Sequence, residues 1–282
     1  METTFVPLMS NLKLYSDLVL YFYVPKDTNV VSITIDGVTY NVAELDKTLD
    51  IFGRGEHYVL ELASLNPDVA ADTVWYSVCF MKDGVLHTAT LGYSVLDYVE
   101  ALLATDYSNK VKQLAVSAVE YVAAAYAKAG KSSEELDAFR LVESYISVKP
   151  ELIAPTGSTA ALGDASVAIS SMQLDLGATM KVRLNLTASY SGALTVLDRE
   201  YVVTEGKVGE LSYVELSLPA HEMFSTVITV SASGASGTLD LAGYALAVAG
   251  SAEYTDLDRA LVAAYYSYCA YAYEYASISS NN

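Results

Sequence analysis

Leu114 with Tyr121-Val122-Ala123-Ala124-Ala125-Tyr126 in the first half of the chain, and Leu261 with Tyr268-Cys269-Ala270-Tyr271-Ala272-Tyr273 in the second, decide how it is organised. The leucine and the outer tyrosines recur at one offset, 147 positions each time (114 to 261, 121 to 268, 126 to 273). An earlier phrase repeats as well. Leu14, three turn-like residues (Tyr15, Ser16, Asp17) and the run Leu18 to Val24 answer to Leu176, Gly177-Ala178-Thr179 and the run Met180 to Leu186. A period this long marks a duplicated domain rather than a solenoid. Two modules are expected, 1–148 and 149–282, and 282 residues suffice for each to bury its own core.

Working outward from these phrases, residues 1 to about 92 read as strands, the clearest being Leu18–Val24, Val30–Ile35, Val38–Val42, Tyr58–Leu62 and Val74–Met81. Asp36-Gly37 and Asp83-Gly84 supply hairpin turns. Ser94-x-x-Asp97 and Ser132-x-x-Glu135 are capping-box signals, and the apolar period then turns helical. Helices are expected over about 94–104, 108–129 and 133–147. Lys149-Pro150 to Pro155-Thr156-Gly157-Ser158 reads as a linker. Strands resume from Ser166 to Leu241, most clearly at Leu194–Leu197, Glu200–Val203, Val214–Leu218 and Val227–Ser231. Thr255-x-x-Asp258 caps a final helix to about Ala276. The fold class is therefore α+β: each module is a small antiparallel β-sandwich followed by a packed helical hairpin.

This order resembles the tandem β-sandwich and helical-hairpin modules of large secreted or surface proteins of Gram-positive gut anaerobes. The residues that carry the resemblance are Asn11 to Pro25, Gly92-Tyr93-Ser94-Val95-Leu96-Asp97-Tyr98 and Leu114 to Tyr126. Where such modules place a glycine after the helix tyrosine, this chain has Val122 and Cys269. The resemblance implies packing motifs and no defined activity, beside carbohydrate-active and Ig-like domains.

Composition narrows the function classes. Thirty-four acidic residues against 16 basic ones leave a formal charge of −18, a field that repels phosphate backbones and anionic headgroups, so no nucleic-acid partner is expected. The apolar share of 52% indicates a folded, core-rich chain. Leu241 to Ala252 is apolar but too short to span a bilayer, so no membrane insertion is expected. Met1 to Pro7 has neither a basic start nor an apolar secretory core. Cys79 and Cys269 stand at non-equivalent points of the two halves, and no Cys-x-x-Cys offers zinc or thioredoxin chemistry.

Motifs that could carry chemistry fail on context. Ala125-x4-Gly130-Lys131-Ser132 matches a phosphate-binding loop only loosely, because a helix precedes it where a strand is needed. The simpler account is a helix ended by Gly130 in a left-handed cap. His57, His87 and His221 are scattered, although His57 and His87 share the first β unit. Gly53-x-Gly55 lacks its third glycine, and Asp256-Leu257-Asp258 is a helix start rather than a calcium loop. Thirty-four acids leave carboxylate pairs in any fold and single out none. No catalytic residues, cofactor or metal are expected.

Tyrosine is what stands out, with 23 against the single Trp75. On the last helix Tyr265, Tyr268 and Tyr275 share a face with Leu261 and Ala272. Tyr266 and Tyr273 lie off it and Tyr271 at its margin. Tyr266, Tyr271 and Tyr273 are therefore the candidate interface, since tyrosine suits half-buried contacts. The expectation is a non-enzymatic structural or adhesive module, extracellular or on a cell surface, acting by protein contact or self-association. One alternative is a structural protein of a phage virion or other assembly. Another is a carbohydrate-binding accessory module with Trp75 or tyrosines as stacking platforms, which must reckon with Trp75 lying in a strand that is core on at least one face.

Overall fold

A computed structural model describes residues 9–14, 18–25, 29–35, 37–42, 48–50, 56–61, 65–157, 163–176 and 180–279. The turn residues Tyr15-Ser16-Asp17 and Gly177-Ala178-Thr179, the Gly53-x-Gly55 pattern and Met1 to Pro7 lie outside the described residues. The first half holds strands β1 (Met9–Lys13), β2 (Val19–Pro25), β3 (Val30–Ile35), β4 (Val38–Asn41), β5 (Thr48–Asp50), β6 (Glu56–Glu61), β7 (Val74–Lys82) and β8 (Val85–Tyr93). Helices α1 (Val95–Leu103), α2 (Asn109–Lys128), α3 (Glu134–Phe139) and α4 (Glu143–Ile146) follow. After a 3-10 turn at Gly163–Val167 come β9 (Ile169–Leu176), β10 (Met180–Leu186), β11 (Gly192–Val196), β12 (Arg199–Val203) and β13 (Tyr213–Ser217). Then follow α5 (Ala220–Ser225), β14 (Ile228–Ala232), β15 (Ala235–Leu239), α6 (Leu241–Gly250) and α7 (Asp256–Ser279).

The fold is a mixed α+β architecture in which every strand pairing is antiparallel. Sheets run β1-β2-β6-β5 and β4-β3-β7-β8 in the first half, and β9-β10-β13 and β12-β11-β14-β15 in the second. Turn chemistry sets the registers. At Asp83-Gly84 both residues have positive φ (52° and 75°), as a type I′ turn requires, and Lys82 pairs with Val85 across them. Ser233-Gly234 does the same (53° and 82°) between Ala232 and Ala235. Once register is fixed, alternation sends one set of side chains inward: Tyr76, Val78 and Phe80 on β7, Met180, Val182, Leu184 and Leu186 on β10, Ile228, Val230 and Ala232 on β14. All of these but Phe80 belong to one apolar cluster that also takes in the helices.

Helix ends follow their caps. Ser94 and Asp97 form the reciprocal box that opens α1, and Thr255 with Asp258 does so for α7. Gly130, at φ 68°, ends α2; Lys131 N–H reaches the Tyr126 carbonyl and Gly130 N–H that of Ala127, the paired bonds of a Schellman motif. The phosphate-loop match at this point is a helix stop.

Three features differ from the sequence reading. The single helix expected over 133–147 is two short ones, capped at Ser133 rather than Ser132. Its break at Arg140 to Val142 lets Arg140 and Tyr145 both turn back to Glu120 of α2. Arg140 Nε and Nη2 donate to its two oxygens at 3.0 and 2.9 Å, Tyr145 Oη donates at 2.7 Å, and Lys149 Nζ pairs at 2.9 Å. Second, α6 forms where only an apolar run was noted: Asp240 caps it at Gly243 N–H, and it buries Leu241, Gly243, Ala245 and Val248 while leaving Ala247 and Ala249 exposed. Third, α5 lies across a side of α7 that sequence periodicity left open.

The long helices α2 and α7 pack antiparallel. Lys110 pairs with Glu274 at one end and Lys128 with Asp258, at 2.6 Å, towards the other. Between them Ala115, Ala118, Ala264 and Ala272 are buried and permit close approach, and rings fill the gaps. Tyr121 stacks on Tyr268 at 5.6 Å and 5° and meets Tyr265 at 5.3 Å, pairs worth about 0.5–1.5 kcal/mol each beyond their burial. Tyr268 Oη donates to the Leu14 carbonyl at 2.5 Å, whereas Tyr121 Oη is buried with no hydrogen-bond partner.

Two predictions follow from unequal polar satisfaction. Tyr268→Phe should cost about 1–2 kcal/mol in urea unfolding by leaving the Leu14 carbonyl unpaired, while Tyr121→Phe should be neutral or slightly stabilising. At Glu120 burial alone would raise the carboxyl pKa, but Arg140, Tyr145 and Lys149 outweigh it and bring it down from 4.5 to about 2. A depressed carboxyl pKa gives stability that is full above the unfolded value and lost as pH falls through the folded one. Glu120→Gln should therefore destabilise at pH 7 by about 1–2 kcal/mol after allowance for solvent screening. That difference should shrink from about pH 4.5 towards 2, as read by thermal unfolding across pH.

Candidate functional site

The candidate tyrosines of α7 do not form one exposed surface. Tyr266 is only 3% exposed, with its ring 5.3 Å from Phe224. The cause is α5, which carries Phe224 and covers the side of α7 expected to face outward. Tyr266 is thus a core residue, and its placement at an interface with another molecule is corrected. Tyr273 also meets Phe224, at 5.6 Å, but stays 43% exposed. Tyr271 lies elsewhere: half-buried, it donates to the Glu151 carbonyl at 3.2 Å and straps the linker to the helix, aided by Ile153 N–H to Ser267 Oγ. Burial, and then Glu274 and Glu151 nearby, raise its pKa. The structure brings Tyr266 and Tyr273 together around Phe224 and leaves Tyr271 apart.

A different surface draws attention once the outer faces of the sheets are compared. On β9-β10-β13 the outward residues include a charged lattice: Lys181 and Arg183 pair with Glu215, Arg183 pairs with Asp175 at 2.7 Å, and its guanidinium lies 4.9 Å from the Tyr213 ring centre. On β4-β3-β7-β8 the described outward residues carry no charge. Register places Thr39, Thr34, Ser77 and Thr90 in one row across the four strands, and Asn41, Ser32, Cys79 and Thr88 in the next. Hydroxyls join within the rows, Thr34 to Thr39 at 2.9 Å and Ser77 to Thr90 at 3.1 Å, and the Cys79 thiol lies 3.4 Å from Thr88 Oγ1. Met81 and Leu86, a cross-strand pair, close one end of the face. Trp75 closes the other, opposite Gly92.

Trp75 is 63% exposed. The strand is core on one face, as expected, but Trp75 shares the other face with Ser77 and Cys79. Its ring lies against Gly92: a Cβ there would fall 3.0 Å from Trp75 Cζ3 and 2.7 Å from Thr73 Cγ2. An aromatic ring laid over a cross-strand glycine covers bare backbone on one side and presents its own second side to solvent. The alternation Trp75-x-Ser77-x-Cys79, set against Thr88-x-Thr90-x-Gly92 across the Asp83-Gly84 turn, carries this arrangement in the sequence.

The remaining chemistry-bearing groups are structural in placement. His87 stacks on Phe80 at 5.6 Å, His57 is buried on β6 in the other sheet, and His221 lies 3.9 Å from Glu222. Both cysteines are free thiols; Cys269 is buried beside Tyr265, and burial raises its pKa. Among the described residues no group of three or more His, Cys, Asp or Glu is placed to hold a metal ion, and no helix is long and apolar enough to cross a membrane. Compared with protein-family models, curated proteins and solved structures, the chain matches none.

Proposed function

We propose that this chain is a non-enzymatic adhesive unit of two similar modules, each a β-sandwich followed by helices, that makes contact through the outer face of β4-β3-β7-β8. The modular half of the reading is supported by strand order. β9, β10 and β13 pair in the order of β1, β2 and β6, and β12-β11-β14-β15 in the order of β4-β3-β7-β8. The pairs α1 and α2, and α6 and α7, follow the last hairpin of each half. The observation that carries the contact half is the exposed Trp75 ring at the end of a face with no charged side chain among its described residues, in a chain of net charge −18. Such a face is cheap to desolvate, because neither lost ionic hydration nor like-charge repulsion opposes its covering. An extracellular or cell-surface setting is the natural one for a unit of this kind, and the resemblance to surface modules agrees with it.

A second reading is self-association into a larger assembly, a virion shell among them. Leu141, Val142, Ile146 and Leu152 favour it, all exposed between the α3–α4 connection and the linker after α4. Light scattering would then report a multimer rather than a 30.3 kDa monomer.

The contact reading is tested with beads coated in the wild-type chain or in Thr39→Lys/Thr90→Lys, applied to immobilised polysaccharides and extracellular proteins. Wild-type beads should be retained on at least one surface, and the charged-face variant, folded by circular dichroism, should lose at least tenfold of that retention. Equal behaviour of the two proteins on every surface would refute the assignment.

A further inference from the structure

We infer that the outer face of β4-β3-β7-β8 takes a neutral polysaccharide chain, with Trp75 as the platform on which one sugar ring stacks. The inference rests on the contact reading above and names its ligand class.

Charge makes the first selection. The hydroxyl rows and the residues at either end of the face present no cation to an acidic glycan or phosphate, and no anion to a basic peptide. The acidic remainder of the surface would repel anions further. A neutral ligand alone meets no penalty. Hydrogen-bonding character makes the second. Serine and threonine hydroxyls each donate and accept, as sugar hydroxyls do, so either polarity of contact can be met without a buried mismatch. Because Thr34 with Thr39 and Ser77 with Thr90 already bond in pairs, the rows are held in place before any ligand arrives. The ring makes the third. Gly92 lets Trp75 lie flat, so its free side forms a broad apolar plate beside the hydroxyls, suited to the C–H face of a pyranose.

The face has room for a chain rather than a single sugar. From Trp75 to Met81 it runs about 20 Å along the strands, and it spans about 14 Å across them. The corresponding sheet of the second half is an internal contrast. Thr195, Ser231, Ser236, Thr229 and Thr238 line its outer side, but β14 and β15 are five residues long where β7 and β8 are nine, and they carry no aromatic residue. The longer first hairpin is what extends far enough to add the platform.

The test follows Trp75 emission, the only tryptophan signal in the chain, while the full-length protein is titrated with oligosaccharides from an array of neutral plant, microbial-wall and mucin-type glycans, and with oligogalacturonate. Calorimetry provides a readout independent of the ring. At least one neutral oligosaccharide should quench or shift the emission saturably, and oligogalacturonate should not. By calorimetry, Trp75→Ala and Gly92→Val, the latter pushing the ring off its seat, should each weaken that binding at least tenfold. Tyr273→Ser should leave it unchanged. Silence from every neutral glycan, undiminished binding by Trp75→Ala, or equal binding of oligogalacturonate overturns the inference. If all glycans are silent while beads are still retained on a protein surface in a Thr39- and Thr90-dependent way, the ligand class is wrong and the contact reading stands. A concentration-dependent dimer lost on Trp75→Ala would assign the face to a second copy instead.

Discussion

Tyr121 and Tyr268 stack face to face where α2 crosses α7, and the placement of the other elements depends on that crossing. The two residues stand 147 positions apart in sequence and meet across the crossing of the two long helices. Lys110 with Glu274 and Lys128 with Asp258 bind opposite ends of the helix pair. Alanines along the seam bring the backbones close, and the rings are then the only groups large enough to fill what remains. The Tyr268 hydroxyl passes through the seam to the Leu14 carbonyl, which ties the last helix to the end of the first strand region. One helix pair thereby holds both sets of sheets.

Around this seam the polar groups are arranged to hold neighbours. Glu120, on α2, gathers Arg140, Tyr145 and Lys149 and so fixes the path of α3, α4 and the start of the linker. Tyr271 and Ser267 then fasten the linker to α7. Outside this helical framework each sheet turns one face away from the core. They differ in chemistry. The outer face of β9-β10-β13 carries a charged lattice of Lys181, Arg183, Asp175 and Glu215, whereas that of β4-β3-β7-β8 is uncharged among its described residues and ends in an open aromatic ring.

Much of the architecture could be read from residue order, and its failures have physical causes. Val30–Ile35 was read to the residue because β-branched alternation ends sharply at Asp36-Gly37. The boxes at Ser94 and Thr255 located helix starts within a residue, since a cap is a local hydrogen bond. By contrast α6 was hidden because its residues are apolar on every side, the exposed Ala247 and Ala249 included, which leaves no apolar period to detect. Tyr266 is buried for a tertiary reason. Periodicity set Tyr266 apart from the seam, but no local signal announced that α5 would lie across it with Phe224. Trp75 stands out in the sequence as a stacking platform, but the hydroxyl rows beside it emerge only when β7 is paired with β8 through the Asp83-Gly84 turn.

Trp75 also reports on one half alone, which makes the central claim directly measurable. In guanidinium unfolding, Trp75 fluorescence follows the first half, while far-ultraviolet circular dichroism follows both. If the α2–α7 seam joins the halves into one cooperative unit, the two signals should give the same midpoint and slope. Separate transitions, with the fluorescence change complete while substantial ellipticity remains or the reverse, would mean that the halves fold independently and that the tyrosine seam does not hold them together.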